Sequence, residues 1–322
     1  MTNKLVSIIV PVYNEEKNID RFKIDVLDVL DNYGLTYEML CVEDGSMRDD
    51  SWDALKKLKQ QAGDRVRIFR HSKNFGMSGA YQTGFDNARG EYVLVYASDL
   101  ETPARYIKDV IEKLDEGYDV VNTNRIGRWN KDGMRKIPSA VANFLISKVT
   151  GVYLKDNGSG LKGFKRFIVD HLNMHGEMHR FFAAYCGVFT KNITEFDVEY
   201  NERTYGRSAY GSITRIFSVV LDLFTIKFMM SFATKPFTMM PGRLFGTTGL
   251  LSFALGIAAL VYLFVLKIFF AESIGSRPLL TIGVLLVVLG VQLVMTGLLG
   301  ELLLRVYFDS RKSRPYIVAE LL

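Results

Sequence analysis

Glu91-Tyr-Val-Leu-Val-Tyr-Ala-Ser-Asp-Leu-Glu-Thr-Pro103 is the stretch on which the reading of the chain turns. Val93 to Ala97 is a short apolar run of β-formers after Arg89-Gly90, the pattern of a strand buried on both faces of a parallel sheet. It runs into two carboxylates, Asp99 and Glu101, with Pro103 placed to start a helix. Residues two apart on an extended chain point the same way. Asp99 and Glu101 are therefore expected to reach one hard cation at the carboxyl end of the sheet, where open α/β sheets bind ligands. An isolated Asp-x-Glu reads more readily as a solvated acidic turn, so the neighbouring segments decide.

Upstream, Leu5-Val-Ser-Ile-Ile-Val10 is a first strand closed by Pro11, with Asn14 as expected N-cap of the next helix. Glu38 to Val42 is a second strand ending in Glu43-Asp44-Gly45-Ser46. An Asp-Gly-Ser turn at a strand end puts an acceptor and backbone N–H groups at the sheet edge, where they can hold a base, a ribose or a phosphate. The same turn can be only a helix cap. Val66 to Arg70 is a third strand, followed by His71-Ser-Lys-Asn-Phe-Gly76 and a helix rich in small residues (Gly79, Ala80, Gly84, Ala88) that can lie close to the sheet. No Gly-x-Gly-x-x-Gly follows the first strand and there is no Walker loop, which removes support for dinucleotide and P-loop readings.

Downstream, Arg105 to Leu114 is an amphipathic helix and Tyr118 to Asn124 a strand. This alternation predicts a mostly parallel, doubly wound sheet. Arg125, Arg128, Lys131, Arg135 and Lys136 lie in a polar loop. Such a loop is ordinary solvated surface unless an anion site is near, where it becomes a phosphate clamp. Ser139 to Val149 reads as a helix with an apolar face. Asp156-Asn-Gly-Ser-Gly-Leu-Lys-Gly-Phe164 is a Gly-rich turn that permits close backbone approach to a ligand and contains one acid and one lysine, Lys162. Thr194 to Tyr200 alternates as an edge strand, and Arg203-Thr-Tyr-Gly-Arg-Ser208 adds two cations and a hydroxyl.

Across its 322 residues the chain is 48% hydrophobic with a net charge of +5, but the apolar residues are unevenly spread. Residues 1–210 read as a soluble α/β domain. Residues 211–243 carry apolar positions flanked by Lys227, Lys235 and Arg243 and are expected to lie in a membrane interface, the other reading being a core helix of the soluble domain. Residues 244–270 and 279–304 are apolar stretches longer than the roughly 20 residues that cross a bilayer. Their short link makes them a hairpin within 244–308, and 309–322 is a basic tail. Lys235, Arg243, Arg305, Arg311, Lys312 and Arg314 flank the spans, whereas the link holds only Arg277, which places both ends in the cytoplasm. Thr248, Ser252 and Gly256 are the expected helix contact, and Glu301 is expected to pair with Arg305. No signal peptide is expected before the first strand. The modest charge sits beside apolar segments, which suits a membrane surface and not nucleic acid. Cys41 and Cys186, the two cysteines, read as reduced core thiols.

Taken together the segments resemble the family 2 glycosyltransferases that use polyprenyl phosphate, the dolichol-phosphate mannosyltransferase and bacterial undecaprenyl-phosphate glycosyltransferase group. Val10-Pro-Val-Tyr-Asn-Glu15 resembles that family's opening motif, and Val42-Glu-Asp-Gly-Ser46 its Asp-Asp-Gly-Ser. Ser72-Lys-Asn-Phe-Gly76 resembles its Arg-Asn-Phe-Gly. Ala97-Ser-Asp-Leu-Glu-Thr-Pro103 falls where it has Asp-Ala-Asp-Leu-Gln-Asp-Pro. Asp156 to Lys162 resembles its Asp-x-Gly block, and Arg203 to Tyr210 its Arg-x-x-Gly-x-Ser-Lys-Tyr. The departures are Ala97 for the first metal-side Asp, Glu101 for Gln, and Ala209 for Lys.

The resemblance implies a GT-A-type fold, then interfacial helices and a transmembrane hairpin. It implies inverting transfer of one sugar from a nucleotide diphosphate sugar, a UDP-sugar in preference to GDP-mannose, to a polyprenyl phosphate on the cytoplasmic face of a bacterial inner membrane. Pro11, Tyr13, Glu15, Asp44, Gly45 and Ser46 would hold the nucleotide. Asp99 and Glu101 would hold Mg²⁺ or Mn²⁺, and Arg125, Arg128, Lys162, Arg203, Arg207 and Ser208 would hold phosphates. Asp99 and Asp156 would serve the transfer, Asp156 as an orienting group. A homo-oligomer is expected. Other readings are a processive polysaccharide synthase, for which Arg128-Trp129 lacks the preceding Gln, and a membrane subunit that binds nucleotide sugar without turnover.

Overall fold

The computed structural model describes residues 4–127, 146–148, 150–174, 178–202 and 241–311. Two compact units divide the chain, Met1–Lys227 and Phe228–Leu322.

The first unit is built on a 7-stranded sheet. Its strands are β1 (Val6–Val12), β2 (Tyr37–Glu43), β3 (Val66–Arg70), β4 (Tyr92–Tyr96), β5 (Val120–Ile126), β6 (Leu161–Lys165) and β7 (Ile193–Glu199), in the order β3-β2-β1-β4-β6-β5-β7. Every residue of β1, β2 and β4 is buried, as their unbroken apolar runs require of strands covered on both faces. β1 pairs in parallel with β2 and β4, β2 with β3, and β5 with β7. β6 alone runs against its neighbours, antiparallel to both β4 and β5.

That reversed strand corrects the sequence reading, in which 156–164 is a Gly-rich turn. Leu161–Lys165 is a central strand, and Gly163 is there because α5 (Tyr106–Asp115) crosses it closely. A Cβ on Gly163 would lie 2.3 Å from Val110 Cγ1. α5 buries Ile107, Val110, Ile111 and Leu114, the stripe expected of its pattern. It begins at Tyr106 and not at Pro103, whose carbonyl accepts the Tyr106 N–H at 3.2 Å.

Helices cover both faces. α1 (Glu16–Ile19), a π-helical turn at Lys23–Leu27 and α2 (Asp28–Asn32) follow β1, α3 (Ser51–Ala62) follows β2, and α4 (Met77–Asn87) follows β3. Phe22, Val26, Leu27, Leu30, Leu55 and Leu58 pack with Ile8, Val10, Met39, Leu94 and Tyr96 in the core on one face. On the other, α4 lies so near the sheet that a Cβ on Gly84 would sit 2.3 Å from Ile9 Cγ2. α6 (Arg166–His171) and α7 (Phe182–Tyr185) follow β6, and Phe164, Phe182, Phe85 and Tyr81 form an aromatic cluster there. Asn14 is not the N-cap of α1. It adopts a φ of 54° and its side chain turns to the loop after β2.

The second unit contains α8 (Pro241–Phe269) and α9 (Pro278–Arg311), whose stretches Gly242–Phe269 and Pro278–Leu303 are long and apolar enough to cross a membrane. They pack antiparallel on glycine. A Cβ on Gly249 would meet Gly290 O at 2.7 Å, and one on Gly256 would meet Gly283 O at 2.8 Å. Ser252 Oγ donates to Leu286 O at 2.9 Å. Thr248, expected in this contact, is exposed and bonds back to Leu244 O, so Gly249 takes its place. The interfacial segment expected over 211–243 lies, up to residue 240, outside the described residues, as does the helix expected over 139–149 except for 146–148.

Gly84→Ala is expected to destabilise the first unit by about 1–3 kcal/mol, because Ile9 and the helix must shift to admit the methyl group. Urea unfolding in detergent, followed by tryptophan fluorescence, measures it; a midpoint equal to that of the parent would refute the close contact.

Candidate functional site

The carboxyl edge of the sheet between β1 and β4 is a topological switch point, since the chain leaves β1 for β2 on one side and β4 lies on the other. The loops after β1, β2, β3 and β4 and the turn before β6 meet at this edge. The reversal of β6 brings in the last, because a strand antiparallel to β4 begins where β4 ends; the Ala97 N–H donates to Gly160 O at 3.0 Å.

The loops after β1 and β2 brace each other. Ser46 Oγ accepts the Asn14 N–H at 2.9 Å, Asn14 Oδ1 accepts those of Met47 and Arg48 at 3.3 and 3.1 Å, and Ser51 Oγ accepts that of Glu15 at 2.9 Å. Asp44 is 3% exposed and its carboxylate is engaged from inside. Oδ1 accepts the Phe75 N–H at 2.8 Å and lies 2.7 Å from His71 Nδ1, and Oδ2 accepts the Gly76 N–H at 2.8 Å. His71 Nε2 in turn lies 2.9 Å from Thr83 Oγ1 on α4. Asp44 thus anchors the 71–76 loop. Gly45, at φ 68°, is pressed against that loop, where a Cβ would lie 2.5 Å from the Lys73 carbonyl carbon. Of the expected nucleotide-side residues, Tyr13 offers an open surface at 43% exposure and Pro11 is buried in β1. Glu15 accepts the Asn18 amide at 2.5 Å.

After β4 the chain does not stay extended, which corrects the premise that Asp99 and Glu101 point one way. Leu100 has a φ of 55°, and Asp99 Oδ1 accepts the Glu101 N–H at 3.2 Å, closing a turn. Asp99 borders a cleft of about 560 Å³ with Arg21, Tyr96, Leu100 and Arg105. Glu101 is turned inward, 6% exposed, and accepts from Arg125 Nη1 at 2.8 Å.

Arg125, at the end of β5 and 7% exposed, also grips Asp156 through a two-pronged contact. Nε donates to Asp156 Oδ2 at 2.7 Å and Nη2 to Oδ1 at 3.1 Å, while Nη2 also reaches Gly158 O. Asp156 is held from behind as well. Glu195, on β7, accepts the N–H groups of Lys155 and Asp156 at 2.8 and 3.2 Å, and Asn122 Nδ2 donates to Glu195 Oε1 at 2.7 Å and to Asp156 O at 3.0 Å. The sequence reading missed Glu195, Asn122 and His71. Glu195 and Asn122 could have been suspected only as polar residues on predicted strands, because the partners they hold are distant in sequence.

Lys162 does not lie at the edge. It is 1% exposed, its Nζ donates to Ser159 O and sits 5.5 Å from the Phe182 ring centroid, and burial pulls its pKa down to about 7 against the opposing pull of Asp156. The Nζ expected to meet a phosphate supports the turn before β6 from beneath. Burial pushes the Cys41 thiol up to about 12 and the Cys186 thiol higher still, so both buried thiols stay protonated, as inert core groups do. Arg128, Arg203, Arg207 and Ser208 lie outside the described residues.

Among the described residues no three His, Cys, Asp or Glu side chains gather as a metal cage. A divalent ion still fits this edge on donor chemistry, since hard cations of the Mg²⁺ class commonly bind through one or two carboxylates plus substrate phosphates. Asp99 supplies such an oxygen beside the cleft.

The profile described as Glycosyl transferase family 2 matches residues 7–173. The chain belongs to glycosyl transferase family 2. It is 35% identical over 321 residues to the dodecaprenyl-phosphate galacturonate synthase of Rhizobium johnstonii, spanning 98% of this chain and 92% of that protein. It is 31% identical over 318 residues to the undecaprenyl-phosphate 4-deoxy-4-formamido-L-arabinose transferase of Shewanella sediminis, spanning 98% and 92%. Among solved structures, glucosyl-3-phosphoglycerate synthase from Mycobacterium tuberculosis in complex with Mn²⁺, UDP-glucose and phosphoglyceric acid superposes with a TM-score of 0.52 at 16% identity, covering 69% of this chain and 80% of that one. At that identity the likeness is one of fold, and the sheet of this family 2 glycosyltransferase is the GT-A type expected.

Between pH 7 and 10.5 the unfolded glycosyltransferase carries a proton on Lys162 that the folded one lacks, so stability is expected to rise with pH across that window. The contribution is at most about 1.4 kcal/mol per pH unit. Urea midpoints at successive pH values should show the rise in the parent and a flatter profile in Lys162→Met; identical slopes would refute the assignment.

Proposed function

We propose that the protein transfers a single sugar, with inversion, from a nucleotide diphosphate sugar to a polyprenyl phosphate. The observation that carries the reading is similarity over nearly the whole chain, hairpin included, to relatives named for transfer to dodecaprenyl or undecaprenyl phosphate. An acceptor with a tail that cannot leave the bilayer accounts for a catalytic sheet and two apolar helices in one chain. The excess of Lys and Arg outside the link supports a catalytic unit on the cytoplasmic side of a bacterial inner membrane.

The donor lies across the edge between β1 and β4, with the exposed Tyr13 ring and the braced 13–15 and 44–46 loops shaping the nucleotide side. A UDP-sugar is the donor class, supported by the fold shared with a structure that holds UDP-glucose. A divalent metal would be held by Asp99 and the donor diphosphate, and when bound it supplies charge neutralisation of the leaving group. With Lys162 buried and Arg125 committed to carboxylates, phosphate binding falls to Arg128, Arg203, Arg207 and Ser208. The acceptor monoester has a second pKa of about 6 and is already largely dianionic at neutral pH. Asp156 therefore has no proton to remove and acts by orientation, which suits a carboxylate fixed by Arg125 and by its own backbone contacts to Glu195.

Mass spectrometry of lipid extracts after incubation with a panel of sugar nucleotides should show one sugar added per polyprenyl phosphate. A polymeric or lipid-free product would refute the reading. Asp99→Ala should lower transfer at least about 100-fold, measured with labelled donor in detergent; undiminished transfer would remove Asp99 from the site.

A further inference from the structure

We infer that Glu101 is not a ligand of the metal but the counter-ion that positions Arg125 against Asp156. The inference rests on the glycosyl-transfer reading above and assigns the two carboxylates after β4 to separate tasks.

The turn that follows β4 separates them. With Leu100 at φ 55°, Asp99 borders the cleft while Glu101 is packed inside, its Oε2 2.8 Å from Arg125 Nη1 and its carbonyl accepting the Asn201 N–H at 2.8 Å. The contacts of the Arg125 guanidinium divide by edge. Nε and Nη2 form the fork on Asp156, and Nη1 meets Glu101. A planar guanidinium fixed on both edges cannot rotate, and so Asp156 is held at one orientation. The Arg125 and Glu101 side chains are 4% and 8% exposed. A Glu101 that swung out to a cation would strip a buried guanidinium of one of the two counter-charges it has among the described residues, with little water to replace it, a strongly unfavourable exchange. Glu101 thus acts on the transferred group through Arg125 and Asp156.

The test uses the full chain in detergent with UDP present, titrated with Mn²⁺ and read by electron paramagnetic resonance of the free ion. Glu101→Gln keeps the shape and removes the charge. It should bind Mn²⁺ within about twofold of the parent, while Asp99→Asn weakens binding at least about tenfold. With saturating Mn²⁺ the Glu101→Gln enzyme should lose about 10–100-fold in kcat, with the donor KM nearly unchanged. Mn²⁺ affinity lowered as far as in Asp99→Asn, with turnover recovered by excess Mn²⁺, would overturn the inference, and so would a parental kcat. Should Glu101→Gln fail to fold, Glu101→Gln with Arg125→Met and Asp156→Asn neutralises the whole buried cluster together and carries the metal arm: parental affinity supports the assignment, lost affinity overturns it. Mn²⁺ binding untouched by Asp99→Asn would instead refute the metal site proposed above, and the kcat of Glu101→Gln would then decide alone.

Discussion

A guanidinium buried at the end of β5 has to be neutralised where it lies, and most of the site follows from that requirement. Arg125 is 7% exposed and answers with two carboxylates, Glu101 from the turn after β4 and Asp156 from the turn before β6. Charges out of water persist only when paired and hydrogen-bonded, and removing one partner costs far more than the pair contributes. The cluster therefore has few alternative arrangements. It joins β4, β5 and β6 across their shared edge, and Glu195 extends it to β7 by holding the backbone around Asp156. Rigidity of this kind suits a reaction in which the acceptor is already an anion and the enzyme's task is placement.

The other half of the edge is built on a different principle. Between β1, β2 and the loop after β3, neutral and charged hydrogen bonds brace loop against loop, with Asp44 taking two amides and an imidazole. Gly45 permits the close approach. Asp44 thereby ties the loop after β3 to the turn after β2, and the His71 ring carries that constraint to α4 through Thr83. In the hairpin, Gly249, Gly256, Gly283 and Gly290 bring two helix backbones close enough for direct packing, which is what holds helices together where lipid offers no hydrophobic gain.

The parts of the fold that could be read along the chain are those whose signals are local. Apolar runs of β-formers give β1, β2, β4 and β5, the stripe of Ile107, Val110, Ile111 and Leu114 gives α5, and two long uncharged segments give α8 and α9. The strand β6 escaped because Leu161–Lys165 contains Gly163 and Lys162, residues that local propensity assigns to turns. Their reasons are non-local: a helix pressed on one face, and an aromatic cluster with the Ser159 carbonyl around the ammonium on the other.

By itself the sequence determined which residue types stand at the ends of which strands, since composition, periodicity and motif order depend only on neighbours along the chain. It thereby determined the α/β class, the family and the acidic and basic character of the edge. The tertiary structure alone decided which charges meet. A strand two residues from a carboxylate pair predicts a shared direction, but one residue at positive φ sends Asp99 to the cleft and Glu101 to Arg125. Lys162 reads as part of a Gly-rich turn until the reversed strand carries it beneath the sheet surface. The physical reason is the same in both cases: a side chain's electrostatic role is set by desolvation and by partners tens of residues away, and neither is written in the order of its neighbours.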